Sequence, residues 1–114
     1  MEGTGTQRRE KRFAIPISGD ELLHVRIVRE DGTITEFAIS YELFIMGIAY
    51  EPCRIDNAHG TTHVDVFDTS GKKIEQRSLG YTEPRETVPE ALKHMKSLIR
   101  YHRERFLREL AEGR

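Results

Sequence analysis

The sequence contains one cysteine, no tryptophan and no long apolar segment. The single cysteine, Cys53, has no partner for an intrachain disulfide, which excludes a small secreted domain held together by disulfides. No run of residues approaches the roughly 20 apolar positions of a membrane-spanning helix, or the apolar region of a signal peptide. These absences predict a cytoplasmic protein that makes no contact with a membrane.

The residues that are present indicate one globular domain. The chain has 114 residues, of which 32% are charged and 37% hydrophobic. A chain of this length can bury about two thirds of its unfolded surface around a single core. Residues 1–11 show no apolar periodicity and are predicted to form a flexible tail, which leaves residues 12–114 as one α+β domain.

The net charge of −1 conceals an uneven distribution of charge along the chain. Formal charge is +2 over residues 1–12, −6 over residues 13–87 and +3 over residues 88–114. A protein that coats its whole surface with nucleic acid needs a broad basic field, which the acidic central segment excludes. Contact with RNA is therefore expected only at the ends of the chain or at one local patch.

Alternation of apolar and polar residues predicts an antiparallel meander of about five strands. In the second strand Leu23, Val25 and Ile27 share one face, and His24 lies on the other. His24 is expected to be a solvent-exposed strand histidine, although it could border the same cleft as the hairpin described next. The predicted strands cover residues 12–17, 21–29, 33–46, 48–57 and 61–68, with residues 73–79 as a last polar return.

The segment from Cys53 to Asp68 predicts a hairpin whose polar side chains gather on one face. A connection built on residues 57–60 pairs Cys53 with Val64 and Arg54 with His63. A three-residue connection would place Arg54 opposite Val64 and mix the two faces, so hydrophobic burial favours the first register. One face then holds Cys53, Ile55, Val64 and Val66. The other face holds Arg54, Asp56, His63 and Asp65, with His59 at the turn.

A long helix is predicted to end the chain. Thr87 suits the N-cap, Pro89 suits the first turn, and Glu90 completes a capping box with Thr87. Apolar residues then recur at intervals of three and four positions as far as Glu112. Some 25 residues span about 37 Å, which is more than the sheet needs as cover. The excess predicts contact with a second subunit, in a homodimer, or with another partner.

The polar face of this helix carries a basic stripe, formed by Lys93, Lys96, Arg100 and Arg103. A stripe with this spacing could follow a phosphate backbone, which makes these residues candidates for binding nucleic acid. Solvated helix faces are also commonly rich in lysine and arginine, and positive charge suits the C-terminal end of a helix.

Three interpretations compete for the polar face of the hairpin. In RNA cleavage without a metal, His59 and His63 would transfer protons, Arg54 would stabilise the charged phosphorane, and Asp56 or Asp65 would orient an imidazole. In the second, a metal binds to His59, His63 and Asp65. In the third, the aspartates and Asn57 stabilise the turn, Arg54 pairs with Asp65, and the histidines have no role.

A family resemblance adds to the first interpretation. The segment Arg54-Ile55-Asp56-Asn57-Ala58-His59-Gly60, followed by His63, resembles an R-x-D-x-A-H-G-x-x-H pattern of small prokaryotic proteins and is similar to TumE-type toxins of toxin–antitoxin modules. The resemblance covers about fifteen residues, and Ile55 stands where an aromatic residue is usual. It implies a cytosolic toxin that acts on RNA or translation and is neutralised by an antitoxin protein. Arg54, Asp56, His59 and His63 would inherit the role of the motif.

The sequence thus predicts a toxin-like protein that acts on RNA as an endoribonuclease. His59, His63 and Arg54 would carry the reaction, with no metal and no cofactor. The alternative is a non-catalytic interaction module, dimeric, that binds a protein through an acidic sheet and through exposed apolar area between Met95 and Leu110.

Overall fold

The computed structural model describes residue 5, residues 7–80 and residues 84–113, without the side chains of residues 59 and 84–87. Within these ranges the chain forms six strands, a short 3₁₀ turn and one long helix, an α+β arrangement. In chain order the elements are β1 (Arg8–Ser18), β2 (Glu21–Glu30), β3 (Thr33–Ile45), β4 (Ile48–Asp56), the 3₁₀ turn (Ala58–Gly60), β5 (His63–Phe67), β6 (Lys73–Ser78) and α1 (Pro84–Ala111).

The six strands form one antiparallel sheet in which each strand pairs with its neighbour in the chain, which confirms the predicted meander. Strand β1 begins at Arg8, four residues before the predicted start, and residues 8–11 pair with residues 27–30 of β2. The predicted tail is therefore wrong for residues 8–11. Their charged side chains conceal the apolar alternation, but such side chains are common on an edge strand, where they hinder pairing with other chains.

The register of the β4–β5 hairpin differs from the predicted one by two residues. Cys53 lies opposite Val66 instead of Val64, and Arg54 lies opposite Asp65 instead of His63. The connection is longer than predicted because residues 57–62, including the 3₁₀ turn, all lie outside the two strands. Since a shift of two residues leaves every side chain on its original face, the predicted division into an apolar and a polar face is correct.

Helix α1 packs on the apolar face of the sheet, mainly against β3 and β4. The helix begins at Pro84, three residues before the predicted N-cap, and the predicted capping interaction of Thr87 lies outside the described side chains. Pro84 takes the first helical position, which proline favours, so Pro89 falls in the second turn and not in the first as predicted. The buried core contains Leu23, Val25, Phe37, Ile39, Tyr41, Leu43, Cys53, Ile55, Val64, Ala91, Met95 and Phe106.

Most apolar side chains of α1 are buried against the sheet of the same chain. Met95 and Phe106 are 0% and 1% exposed, and between Met95 and Leu110 the large apolar residues that remain exposed are Tyr101 and Leu107. The exposed apolar area expected of an interaction module is therefore limited to these two side chains along this part of the helix. Among the described residues, no helix is both long enough and apolar enough to cross a lipid bilayer.

Candidate active site on the open face of the sheet

Two rows of polar side chains cross the face of the sheet that lies opposite α1. Pairing of successive strands aligns the residues of each row, one from each strand. The first row, in order from β2 to β6, is His24, Ser40, Arg54, Asp65 and Gln76. The second row, from β1 to β6, is Arg12, Arg26, Ala38, Asp56, His63 and Ser78. All four predicted strand residues of the site therefore lie side by side on β4 and β5.

His63 occupies the centre of this cluster. Its Nδ1 lies 3.1 Å from the carbonyl oxygen of Thr61, and its Nε2 lies 3.0 Å from Asp56 Oδ1 and 3.7 Å from Asp65 Oδ2. A neutral imidazole carries a proton on only one nitrogen and would leave the other nitrogen facing an oxygen acceptor. Only the imidazolium, with a proton on each nitrogen, can donate to both Thr61 and Asp56.

Asp65 is the most deeply buried member, with a side chain 2% exposed. Gln76 Nε2 donates to its Oδ1 at 2.9 Å, and Lys73 Nζ lies 3.4 Å from the same atom. Burial alone would raise the pKa of Asp65, but the hydrogen bond from Gln76 and the nearby charges of His63 and Lys73 outweigh burial and lower that pKa. Asp65 therefore stays ionised and anchors the positive groups around it.

Arg54 is held on several sides. Its Nε donates to Asp56 Oδ2 at 3.0 Å, and its Nη2 lies 3.5 Å from Asp65 Oδ2. The guanidinium lies 5.2 Å from the centre of the Phe67 ring, within the range of a cation–π contact. Glu51 is a more distant neighbour, 3.6 Å from Nη1. Arg54 is thus a fixed, partly exposed cation.

The motif residues also build the turn, as the third interpretation predicts. Asp56 Oδ1 accepts a hydrogen bond from the backbone N–H of Ala58 at 3.0 Å. Asn57 bonds to β3 through both ends of its amide, since Oδ1 accepts from Phe37 N at 2.9 Å and Nδ2 donates to Thr35 O at 3.0 Å. The side chain of Asn57 therefore continues the strand pairing after β4 has ended at Asp56. The pairing of Arg54 with Asp65 is also confirmed.

An open cleft of about 690 Å³ lies beside the cluster. Arg26 on β2, Ala38 on β3, and Arg54 and Asp56 on β4 line it, together with the turn at Asn57 to Gly60. Of the described cluster residues, His63 and Asp65 lie behind Arg54 and Asp56 and do not line this cleft. His63 is 9% exposed as a side chain, so Asp56 separates it from a ligand in the cleft.

Two further histidines lie near the cluster in the sequence or on the same face of the sheet. The backbone of the turn that contains His59 borders the cleft, but the side chain of His59 lies outside the described part of the structure. His24 Nε2 lies 3.3 Å from Glu42 Oε2, and both residues line a second cleft of about 340 Å³. This second cleft is adjacent to the first, since Arg26, Ala38 and Arg54 line both. The His24 side chain is 53% exposed, as expected of a strand histidine that faces solvent, and it does not line the first cleft.

The metal-ligand set predicted from sequence differs from the one that the structure assembles. Asp56, His63 and Asp65 offer ligand atoms that all lie within 4.8 Å of one another. The predicted set contained His59 instead of Asp56, and the side chain of His59 is not described. The predicted register, which pairs Arg54 with His63, puts Asp56 opposite Thr61. The observed register places Asp56 opposite His63, and this brings Asp56 into the possible ligand set.

The basic stripe of α1 lies on the other side of the molecule from the cluster. Lys93, Lys96 and Arg100 are exposed, and Arg100 lies 3.4 Å from Glu104. Arg103 differs, since its guanidinium donates to both oxygens of Asp20 at 3.0 and 2.9 Å and joins the helix to the β1–β2 turn. One RNA strand cannot lie on the stripe and in the cleft unless it passes around the edge of the sheet.

Two buried polar residues of α1, His102 and Arg105, lie three positions apart. Arg105 is buried, donating to Pro52 O at 3.1 Å, to Glu109 at 3.0 Å and to His102 Nδ1 at 3.3 Å. His102 is 5% exposed, as a packing residue should be. Arg105 therefore fixes α1 to β4 and is not available to a phosphate backbone.

Comparison with known proteins identifies the family to which the chain belongs. No curated protein and no solved structure matches the chain. The model of one family matches residues 7–112, and that family is described as a domain of unknown function, DUF7718. The match spans the whole sheet and the whole of α1. The chain belongs to the DUF7718 family.

Proposed function

We propose that this protein is a toxin-like component of a toxin–antitoxin module and that it cleaves RNA without a metal ion. The observation that carries the proposal is the placement of Arg54 and Asp56 on the wall of the large cleft, with His63 directly behind Asp56. A cleft of about 690 Å³ lies in the range that holds a nucleotide-sized ligand. The cleft thus brings a cation and a carboxylate together within reach of one ligand.

The reaction needs a cation where negative charge develops. When the 2′-hydroxyl attacks the phosphorus atom, charge accumulates on the phosphorane oxygens. Arg54 presents a planar guanidinium whose orientation is fixed by Asp56, Asp65 and Phe67. A guanidinium that is already in position need not reorganise during the reaction, which makes it an effective stabiliser of that charge.

The reaction also needs two proton transfers. Asp56 faces the cleft and takes the proton of the 2′-hydroxyl, while His63 is a positioning residue that holds Asp56 through the 3.0 Å contact. His59, in the turn that borders the cleft, gives a proton to the leaving 5′-oxygen. The bond from the 2′-oxygen to phosphorus forms as the bond to the 5′-oxygen breaks, which yields a 2′,3′-cyclic phosphate and a 5′-hydroxyl end.

The toxin assignment rests on the motif formed by Arg54, Asp56, His59 and His63, which resembles that of TumE-type toxins. It implies that expression alone arrests bacterial growth and that an antitoxin protein relieves the arrest. Growth of a bacterial culture after induction tests this directly. The Arg54→Lys variant keeps the positive charge but loses the paired donors of the guanidinium, so it should relieve the arrest.

Purified protein gives the chemical test. Incubated with single-stranded RNA and EDTA, the protein should produce 2′,3′-cyclic phosphate ends, and Asp56→Asn and His59→Ala should each lower the rate by roughly 10²-fold or more. The control is Arg108→Gln, since Arg108 is exposed in the last turn of α1 and lies outside the basic stripe. Intact RNA with the wild-type protein, or equal rates for all variants, would contradict the proposal.

One observation favours a second candidate, a divalent-cation site formed by Asp56, His63 and Asp65. Their ligand atoms are mutually close, and the bond of His63 Nδ1 to the Thr61 carbonyl resembles the outer contact that orients many metal-binding histidines. The charges of Arg54 and Lys73 oppose a cation there. Calorimetric titration with Zn²⁺ or Mn²⁺ separates the two, because only the metal site predicts saturable binding that His63→Ala abolishes.

A further inference from the structure

Arg26 and Arg54 flank the same central strand on the open face of the sheet. Arg26 lies on β2 beside Ala38 of β3, and Arg54 lies on β4 beside Ser40 of β3. Two strand spacings and an offset of two residues along the strands separate the backbones of the two arginines, which is roughly 12 Å. Both arginines line both clefts, so each guanidinium reaches the groove that lies above β3.

The floor of this groove is low because the residues of β3 between the two arginines are small. Ala38 and Ser40 have short side chains, unlike the long side chains found elsewhere on this face, and Ala38 lines both clefts. The Ser40 hydroxyl donates to the carboxylate of Glu51 on the neighbouring strand β4. Space for a ligand therefore exists between the two guanidiniums, directly above β3.

Each arginine keeps one end of its guanidinium without a good hydrogen bond. Arg26 Nε and Nη2 each lie 3.1 Å from Glu10 Oε1, but its Nη1 lies 3.5 Å from Glu36. Arg54 donates from Nε to Asp56 at 3.0 Å, and its Nη1 lies 3.6 Å from Glu51. Contacts of this length are too long for strong hydrogen bonds, so the carboxylates orient the two guanidiniums without saturating them.

We propose that Arg26 and Arg54 form a clamp that binds one phosphate group in the groove above Ala38. The Nη1 donors of the two guanidiniums make only long contacts with Glu36 and Glu51, and a phosphate oxygen can displace these carboxylates with a shorter, charge-assisted hydrogen bond. The neighbouring carboxylates compete with the ligand, so binding weakens as salt is added. The inference rests on the proposed function only because Arg54 takes part in both. Phosphate binding by the clamp does not require that RNA is cleaved.

The phosphate could belong to an RNA strand or to a small phosphate ester, and three probes distinguish them. The probes are inorganic phosphate, a 3′-mononucleotide and a short single-stranded RNA whose 2′-oxygens are methylated to prevent cleavage. Binding is followed by NMR chemical shifts of the backbone amides at constant ionic strength. Saturable shifts at Ala38, Ser40 and Asp56 are expected. Tighter binding of the RNA than of the mononucleotide would identify a strand as the ligand.

Two variants test the clamp in different ways. Arg26→Gln removes one guanidinium and should weaken binding roughly tenfold or more, as expected for the loss of charge-assisted hydrogen bonds. Ala38→Leu fills the floor of the groove without changing charge and should weaken binding similarly. Arg108→Gln removes one exposed positive charge near the end of α1, outside the basic stripe, and should bind as wild type does.

The outcomes separate this inference from RNA cleavage. Saturable phosphate binding that depends on Arg26 and Ala38, without any cleavage of unmodified RNA, would support the clamp and contradict the proposed function. RNA cleavage with phosphate affinity unchanged in Arg26→Gln and Ala38→Leu would overturn the clamp alone. Shifts confined to Lys93 and Lys96, or no shifts beyond those of an equal concentration of chloride, would also overturn it.

Discussion

The side-chain oxygen of Asn57 accepts a hydrogen bond from the backbone N–H of Phe37 at 2.9 Å, across the end of β4. The same amide donates to Thr35 O, so the side chain of Asn57 makes the hydrogen bonds to β3 that the backbone of a further strand residue would make. Asn57 belongs to the segment that resembles toxin motifs, yet its contacts here stabilise the turn that carries Asp56 and His59. Part of the motif is therefore needed to shape the end of β4 and the turn that follows it.

Replacement of Asn57 tests this structural role. Asn57→Ala should lower the free energy of unfolding by about 1–3 kcal/mol, because Phe37 N and Thr35 O lose partners at a partly buried position. Asn57→Asp keeps the acceptor for Phe37 but places a carboxylate oxygen against the Thr35 carbonyl, and it should also destabilise. Urea unfolding measures both. A change below 0.5 kcal/mol in Asn57→Ala would show that the amide contributes little.

Arg105 should contribute more to stability than its exposed neighbour Arg108. Arg105→Met leaves the Pro52 carbonyl and Glu109 without their buried donor, which should cost about 3 kcal/mol. Arg108→Met removes the same charge from an exposed position three residues further on and should change stability by about 0.5 kcal/mol or less. Equal effects of the two changes in urea unfolding would mean that burial of Arg105 does not matter.

His102 should make stability depend on pH. Burial, followed by the charges of Arg105 and Arg77, lowers the pKa of His102 from 6.5 to about 4. Because the unfolded chain takes up the proton first, the stability due to neutral His102 is complete above pH 6.5 and falls as the pH drops towards 4. The loss should reach about 3 kcal/mol at pH 4.

The matched variant for this pH effect is His102→Gln, which offers an acceptor to Arg105 but does not titrate. Urea unfolding at pH 7, 5.5 and 4 should show a smaller loss of stability in the variant than in the wild type. Parallel pH profiles for the two proteins would rule out His102 as the source of the pH dependence.

The β3–β4 turn offers a stabilising change. Met46 has φ of 51° and Gly47 has φ of 82° in a two-residue hairpin, and Met46 is 96% exposed. Such turns favour Asn-Gly, because asparagine tolerates positive φ better than methionine does. Met46→Asn should raise the free energy of unfolding by about 0.5–1 kcal/mol, whereas Met46→Val, which is β-branched, should lower it. Thermal unfolding would show the order Asn, Met, Val if the turn controls stability.

The fold could be predicted well from local sequence patterns. Alternation places Leu23, Val25 and Ile27 on the buried face. The three- and four-residue spacing of apolar residues in α1 predicts that the helix packs on the sheet, and the burial of Met95 and Phe106 confirms it. The sequence could not locate the start of β1, because an exposed edge strand needs no apolar alternation. It also missed the buried role of Arg105, since an arginine in a basic segment gives no local sign that a carbonyl will meet it.

The sequence by itself determined which side chains share a face, because the period of a strand or a helix is a local property of the backbone. That period placed Arg54, Asp56, His63 and Asp65 together. Only the tertiary structure decided which of them touch, because the register depends on the longer turn at residues 57–62 and on the tie from Asn57 to β3. The alignment of Arg26 with Asp56 across Ala38 likewise requires three strands to pair, and no local pattern encodes it.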